Sequence, residues 1–213
     1  MLSDGTIIAL STPQGSGAIG VIRLSGAQAF KKTALFFKPK GQKSWDKIEP
    51  NKSLLGHFTK ASLLIDEVLI TPFKAPYSYT GEDVIEISCH GSPFILQQII
   101  SCFLDQGVKP AKPGEFTLRA YLNKKMDLSQ AEAVADLIAS ESAEAHRIAM
   151  QQMRGGFSKG MEELRQQLIQ FKALIELELD FSEEDVNFAE TTELKSLLNK
   201  LQTEIQVLKD SFA

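Results

Sequence analysis

Cysteine is scarce in this 213-residue chain, with Cys89 and Cys102 the only two. Two cysteines outside any CxxC spacing are too few for a disulfide framework or a thiolate zinc site, so both read as reduced thiols. Long apolar runs are missing as well. Hydrophobic residues make up 43% of the chain, but they fall in short runs, well below the ~20 consecutive apolar residues that a membrane-spanning helix requires. No membrane partner is expected. The opening stretch MLSDGTIIALSTPQGSG has neither the basic segment nor the apolar segment of a secretion signal, which makes the cytoplasm the expected location. The three histidines, His57, His90 and His146, are widely separated, so no metal site is expected. A strong basic excess, the footprint of a chain that grips nucleic acid unaided, is also absent. Residues 1–118 carry 12 Lys and Arg against 10 Asp and Glu, while residues 119–213 carry 11 against 17.

What is present changes character along the chain. The first part alternates β-like and helix-like segments between turn residues. Thr6–Ser11 is β-rich and stops at the loop Thr12-Pro13-Gln14-Gly15-Ser16-Gly17. In the next strand Ile19, Val21 and Arg23 share one face, with Gly20, Ile22 and Leu24 on the other. A helix is predicted from Ala27 to Phe37, a long loop from Lys38 to Lys52, and two strands, Leu54–Phe58 and Leu63–Pro72, in the order of a hairpin. Asp83–Cys89 reads as a strand and Ser92–Gln106 as an amphipathic helix closed by Gly107. From about Glu115 the pattern is nearly all helical. Ser129 and Glu132 have capping-box spacing, and the helix they open is predicted to reach Met153, with a break at Gly155-Gly156. A final helix carries the stripe Leu194, Leu197, Leu198, Leu201, Ile205, Leu208 and Phe212, with no evident covering partner.

Few short motifs bear chemistry. Gly15–Gly20 matches GxGxxG in letters, but a strand follows it where a dinucleotide loop needs a helix, so a sharp turn between strands is the better reading. The lysine among the glycines at 155–160 lacks the GxxxxGK[ST] spacing that cradles phosphates. Charge placed mid-strand says more. Glu86, with Val84 and Ser88 on one face opposite Ile85 and Ile87, could accept two hydrogen bonds from a flat ligand with adjacent N–H donors, such as a pterin or guanine edge. Arg23 could neutralise an anionic tail or pair with such a carboxylate. On these residues alone, an exposed strand face or a structural Arg–Glu pair is the favoured account. Cys89 alternates inward with Ile85 and Ile87 and reads as a core thiol.

Longer blocks say more: Thr12 to Gly26, Tyr79-Thr80-Gly81-Glu82-Asp83-Val84-Ile85-Glu86, Cys89-His90-Gly91, and Pro113-Gly114-Glu115-Phe116-Thr117 continuing through Arg119-Ala120, Leu122-Asn123 and Lys125-Met126-Asp127-Leu128 to Gln130-Ala131-Glu132-Ala133 and Asp136-Leu137-Ile138. Together they resemble the MnmE (TrmE) family of tRNA-modification GTPases. The resemblance implies an α+β chain in two parts. Residues 1–118 would form a mixed α/β domain, related in fold to aminomethyltransferases, that binds tetrahydrofolate and dimerises. Residues 119–213 would form the first part of a helical domain, ending before a GTPase insertion.

The family's folate contacts fall on Arg23, Glu86 and Lys125, with Tyr79, Thr80 and Gly81 as further pocket residues. The implied cofactor is 5-formyltetrahydrofolate or 5,10-methylenetetrahydrofolate; GTP, potassium and magnesium would belong to the GTPase domain. The implied partners are a second copy of the chain, the FAD-dependent MnmG (GidA) protein and tRNA, whose wobble uridine gains an aminomethyl or carboxymethylaminomethyl group at C5. No catalytic residue is expected in these 213 residues, and no GTP hydrolysis, since the P-loop is absent from them. The competing readings are a stand-alone folate-dependent aminomethyltransferase and a non-enzymatic dimerisation scaffold.

Overall fold

The computed structural model describes residues 5–41, 45, 48–181 and 191–210. The chain divides into two compact units, Met1–Ala131 and Glu132–Ala213. The division falls beyond residue 118, where the sequence pattern turns helical, because the helix after that point is tied into the first unit by side-chain hydrogen bonds. Arg119 reaches the Gly5 carbonyl, and Asn123 donates to the Thr80 carbonyl.

The first unit is a seven-stranded sheet with helices. In chain order it contains β1 (Ile7–Leu10), β2 (Ile19–Ser25), α1 (Ala29–Thr33), β3 (Phe37–Pro39), β4 (Leu54–Lys60), β5 (Leu63–Phe73), β6 (Val84–His90), α2 (Pro93–Leu104), β7 (Lys109–Pro110) and α3 (Glu115–Leu122). The spatial order is β3-β4-β5-β6-β2-β1-β7. Neighbours are antiparallel except β1 with β7, which run parallel. Strands β4 and β5 form the predicted hairpin, turning through Ala61 and Ser62 at positive φ.

Two-residue alternation assigns the sheet its faces. Ile22, Leu24, Val68, Ile70, Ile85, Ile87 and Cys89 are buried and belong to one cluster with Ala29 of α1 and Leu96, Ile99, Cys102 and Phe103 of α2. Gly20 is needed here, because a Cβ on it would lie 2.5 Å from Leu96 Cδ2. Phe36, Phe58 and Phe103 close the cluster, with ring centroids 5.3–5.8 Å apart. Fully burying such a ring contributes roughly 1.5–3 kcal/mol. That clustering shortens the first helix. The predicted span Ala27–Phe37 is helical only from Ala29 to Thr33, after which the chain turns so that Phe36 is buried and Phe37 enters β3.

The helical segments also depart from expectation in detail. Helix α4 (Leu128–Ala139) begins before Ser129, and its capping box is Asp127 with Gln130. Gln130 N donates to Asp127 Oδ1 at 2.8 Å, and Asp127 N donates to Gln130 Oε1 at 2.9 Å. The helix stops at Ala139 and does not reach Met153. A new helix, α5 (Ala143–Met153), starts at Ser142, whose hydroxyl accepts from Ala145 N at 3.1 Å. The expected break at Gly155-Gly156 is present, with α6 (Gly156–Phe181) following it.

The last helix, α7 (Thr191–Asp210), packs on α6, and Leu201 of its stripe is buried there, while Leu198 and Ile205 remain open. The side chains of Leu194 and Leu208, and Phe212 altogether, lie outside the described residues. Among the described residues no helix is long and apolar enough to cross a membrane.

Candidate functional site

The face of the sheet turned away from α1 and α2 carries the charged mid-strand residues. Register places Arg23 of β2 directly opposite Glu86 of β6, with Ala9 of β1 and Thr71 of β5 completing the row. Both charged side chains are about a quarter exposed, and they form an ion pair. Arg23 Nε and Nη2 both donate to one oxygen, Glu86 Oε1, at 2.9 and 2.7 Å. This is the pairing that the residue types alone favoured, and it has a chemical remainder. Among the described residues, Arg23 Nη1 and Glu86 Oε2 have no hydrogen-bond partner, leaving one donor edge and one acceptor atom side by side.

Aromatic rings surround the guanidinium. Its central carbon lies over the Tyr79 ring, 5.3 Å from the centroid, and over the Phe116 ring at 5.6 Å. At this partial exposure a cation–π contact contributes about 0.5–1 kcal/mol. The Tyr79 hydroxyl is 2.9 Å from Thr117 Oγ1, so α3 supplies one ring and anchors the other.

Beneath the pair, the segment Tyr79–Glu82 is held by a polar network. The fully buried Thr80 hydroxyl is 2.7 Å from Ser25 Oγ, which also donates to Glu82 Oε2 at 2.7 Å. Arg119 Nη1 donates to both oxygens of Glu82, at 3.2 and 2.9 Å. Arg119 Nη2 donates to the Gly5 carbonyl at 2.9 Å and to Glu115 Oε1 at 3.2 Å. Glu115 Oε2 in turn accepts from Lys112 N at 2.8 Å, at the start of α3. Arg119 and Glu115 are 6% and 5% exposed, so each requires the other's charge: an ion that deep is costly unless paired.

Lys125 is placed differently. Its ammonium donates to the Pro76 carbonyl at 3.0 Å and, among the described residues, forms no hydrogen bond or ion pair with Glu86. Its stem lies against Gly81, where a Cβ would stand 3.3 Å from Lys125 Cγ and 3.1 Å from Asn123 Cβ. Gly81 has φ +77°, so the position favours glycine on backbone grounds as well. Lys125 also lines an open groove of about 530 Å³ with Tyr121, Leu122, Lys124, Met126, Asp127 and Gln130; Arg23 and Glu86 are not among its walls.

Of the six residues singled out from the sequence, the fold therefore brings Arg23, Glu86 and Tyr79 into contact, seats Thr80 beneath them, and joins Gly81 to Lys125 on the same segment. Residues not singled out are Phe116, Thr117, Ser25, Glu82 and the buried pair Arg119–Glu115. All six stand in the resembling blocks, but letters alone give no role to a side chain whose partners are distant in sequence.

Cysteine reactivity is not part of this arrangement. Burial, reinforced by the nearby charge of Asp66, pushes the Cys89 thiol up to about 11, and burial also raises Cys102. Neither would be a thiolate near neutral pH.

A mixed sheet with α1 and α2 on one face and an arginine–glutamate pair on the other, together with a separate helical unit, define a two-part α/β-plus-helical protein. Comparison with known sequences takes the assignment further. Residues 6–125 match the family described as "GTP-binding protein TrmE N-terminus", and residues 128–213 match "MnmE helical domain". The chain belongs to the MnmE (TrmE) family. It is 54% identical over 213 residues to the tRNA modification GTPase MnmE of Christiangramia forsetii, covering 100% of this chain and 45% of that protein. The MnmE of Bacteroides thetaiotaomicron is 52% identical over 212 residues, covering 99% and 45%. That of Porphyromonas gingivalis is 48% identical over 208 residues, covering 97% and 44%. The chain thus spans a little under half the length of the curated relatives it matches.

Proposed function

We propose that the first unit binds a reduced folate, 5-formyltetrahydrofolate or 5,10-methylenetetrahydrofolate, and pairs with a second copy of itself. In this reading it serves a full-length GTPase that modifies C5 of the tRNA wobble uridine. The observation that carries the folate reading is the half-used ion pair. Glu86 Oε2 is open to a ligand N–H, and Arg23 Nη1 is open to a ligand carbonyl or carboxylate. A pterin head presents both kinds of group along one planar edge. Tyr79 and Phe116 add aromatic surface beside them.

Lys125, which enters through the family resemblance, would leave the Pro76 carbonyl to hold a second oxygen of the ligand. Thr80 and Gly81 would shape the segment around it. Exposed Leu55 and Leu69, adjacent across β4 and β5 on the same open face, support a homodimer through this unit. Family names that specify tRNA modification and GTPase support the wider role. In that role GTP, potassium and magnesium act in a GTPase domain, the FAD-dependent MnmG protein is the partner, and the setting is the cytoplasm. These 213 residues carry no P-loop and would not hydrolyse GTP alone.

Titration of 5-formyltetrahydrofolate into the wild type and Glu86→Ala tests the site. A charge-assisted hydrogen bond contributes about 1.5–3 kcal/mol, so the variant should bind roughly ten- to hundred-fold more weakly. Equal affinities would remove Glu86 from recognition.

A further inference from the structure

We propose that Phe116 is a positioning residue of the folate site, acting through Arg23; the inference rests on the folate reading above. An arginine on an open strand face would ordinarily spread over several rotamers, and a ligand would have to order it on binding. Arg23 is not left to do so. Its guanidinium lies over both the Phe116 and Tyr79 rings and is fixed by its Nε/Nη2 edge to Glu86 Oε1. Contact with two rings together with a carboxylate bonded to the Nε/Nη2 edge determines the guanidinium's orientation in a way that either contact alone would not.

Phe116 is itself held. It sits in the first turn of α3, between Glu115, which bonds to Lys112 N and Arg119, and Thr117, which bonds to the Tyr79 hydroxyl. The ring is therefore delivered to Arg23 by a helix whose placement depends on the buried Arg119–Glu115–Glu82 network. The consequence for binding is preorganisation: Nη1 is presented to the ligand before it arrives.

The test uses the full chain, 5-formyltetrahydrofolate, and protein labelled with ¹⁵N at arginine. Phe116→Leu should raise the Kd about fivefold, the effect of losing one cation–π contact at a partly exposed guanidinium. Phe116→Tyr should restore it to within about twofold. In an Arg23→Ala background, Phe116→Leu should add less than about twofold, since the two residues act as a unit. The Arg23 Nε–H signal, assigned by its loss in Arg23→Lys, should carry a ring-current shift that Phe116→Leu reduces.

Wild-type binding with an unaltered Kd in Phe116→Leu overturns the role of Phe116, and so does the full fivefold loss in the Arg23→Ala background. A wild type that binds no folate overturns the folate reading instead. The positioning of Arg23 is then judged by the Nε–H signal alone, and a signal indifferent to Phe116→Leu overturns it.

Discussion

Replacing Arg119 with methionine leaves a stem of similar length but removes the guanidinium that joins α3 to the Glu82 segment and to the Gly5 carbonyl. The cost follows from what stays behind. Glu115, 5% exposed, keeps its bond from Lys112 N but loses the Arg119 guanidinium, whereas Glu82, 28% exposed, can recover water. Breaking a buried pair by deleting one partner costs about 3–5 kcal/mol, and the partial access of Glu82 places this case near 3 kcal/mol. For a unit of this size, with an unfolding entropy of roughly 0.3 kcal/mol per kelvin, that lowers Tm by about 10 °C.

Trp45, the only tryptophan in the 213 residues, packs on Phe30 and Phe37 within the first unit, so its fluorescence in urea or on heating follows that unit. Adding Glu115→Gln to Arg119→Met should recover a substantial part of the loss, because a buried charge deprived of the Arg119 guanidinium is replaced by a neutral amide. A loss below about 1 kcal/mol, or a double variant no more stable than the single one, would refute the claim that the network is a compensated set of buried charges.

Two further outcomes are expected. The raised Cys89 ionisation means that the folded thiol stays neutral to about pH 11, whereas an unfolded cysteine ionises near 8.5. This contribution to stability is therefore fully present below about pH 8.5 and lost as pH rises through about 11, by an amount on the order of 3 kcal/mol. Urea melts from pH 8 to 11 should show that loss, and Cys89→Ala should flatten it; the same slope in both proteins would exclude the thiol as its source. If the proposed homodimer forms through the open sheet face, Leu69→Lys should convert it to monomer in sedimentation without lowering the melting of the first unit. An unchanged dimer would remove this face from the interface.

Much of this architecture could be read from the residues. The alternation in Ile19–Leu24 and Val84–Ser88 put Arg23 and Glu86 on the open faces of their strands, where both side chains lie. An Arg–Glu pair was among the accounts the residue types favoured, but the direct opposition of these two side chains depends on the register of strands 63 positions apart and not on either local pattern. The helices depart from the local pattern in two ways. The first ends at Thr33 because Phe36 joins an aromatic cluster with Phe58 and Phe103, a tertiary effect with no local signature. The capping box is Asp127–Gln130, two residues before Ser129, and Ser142 caps a separate helix, both features that the sequence displays. Phe116 and Arg119 look like ordinary helix positions until the fold supplies Arg23 and Glu82.

The direct opposition of Arg23 and Glu86 ties recognition chemistry to strand alignment. The same two-residue period that sends Ile22, Leu24, Ile85 and Ile87 inward turns these two charges outward, so swaps among core side chains that preserve alignment leave the acceptor and donor adjacent. Inserting a single residue within β2 or β6 would exchange the faces beyond it, burying a charge and exposing core in one stroke. Core substitutions that keep the strand length would therefore spare this pair, whereas a change in the number of residues along either strand would not.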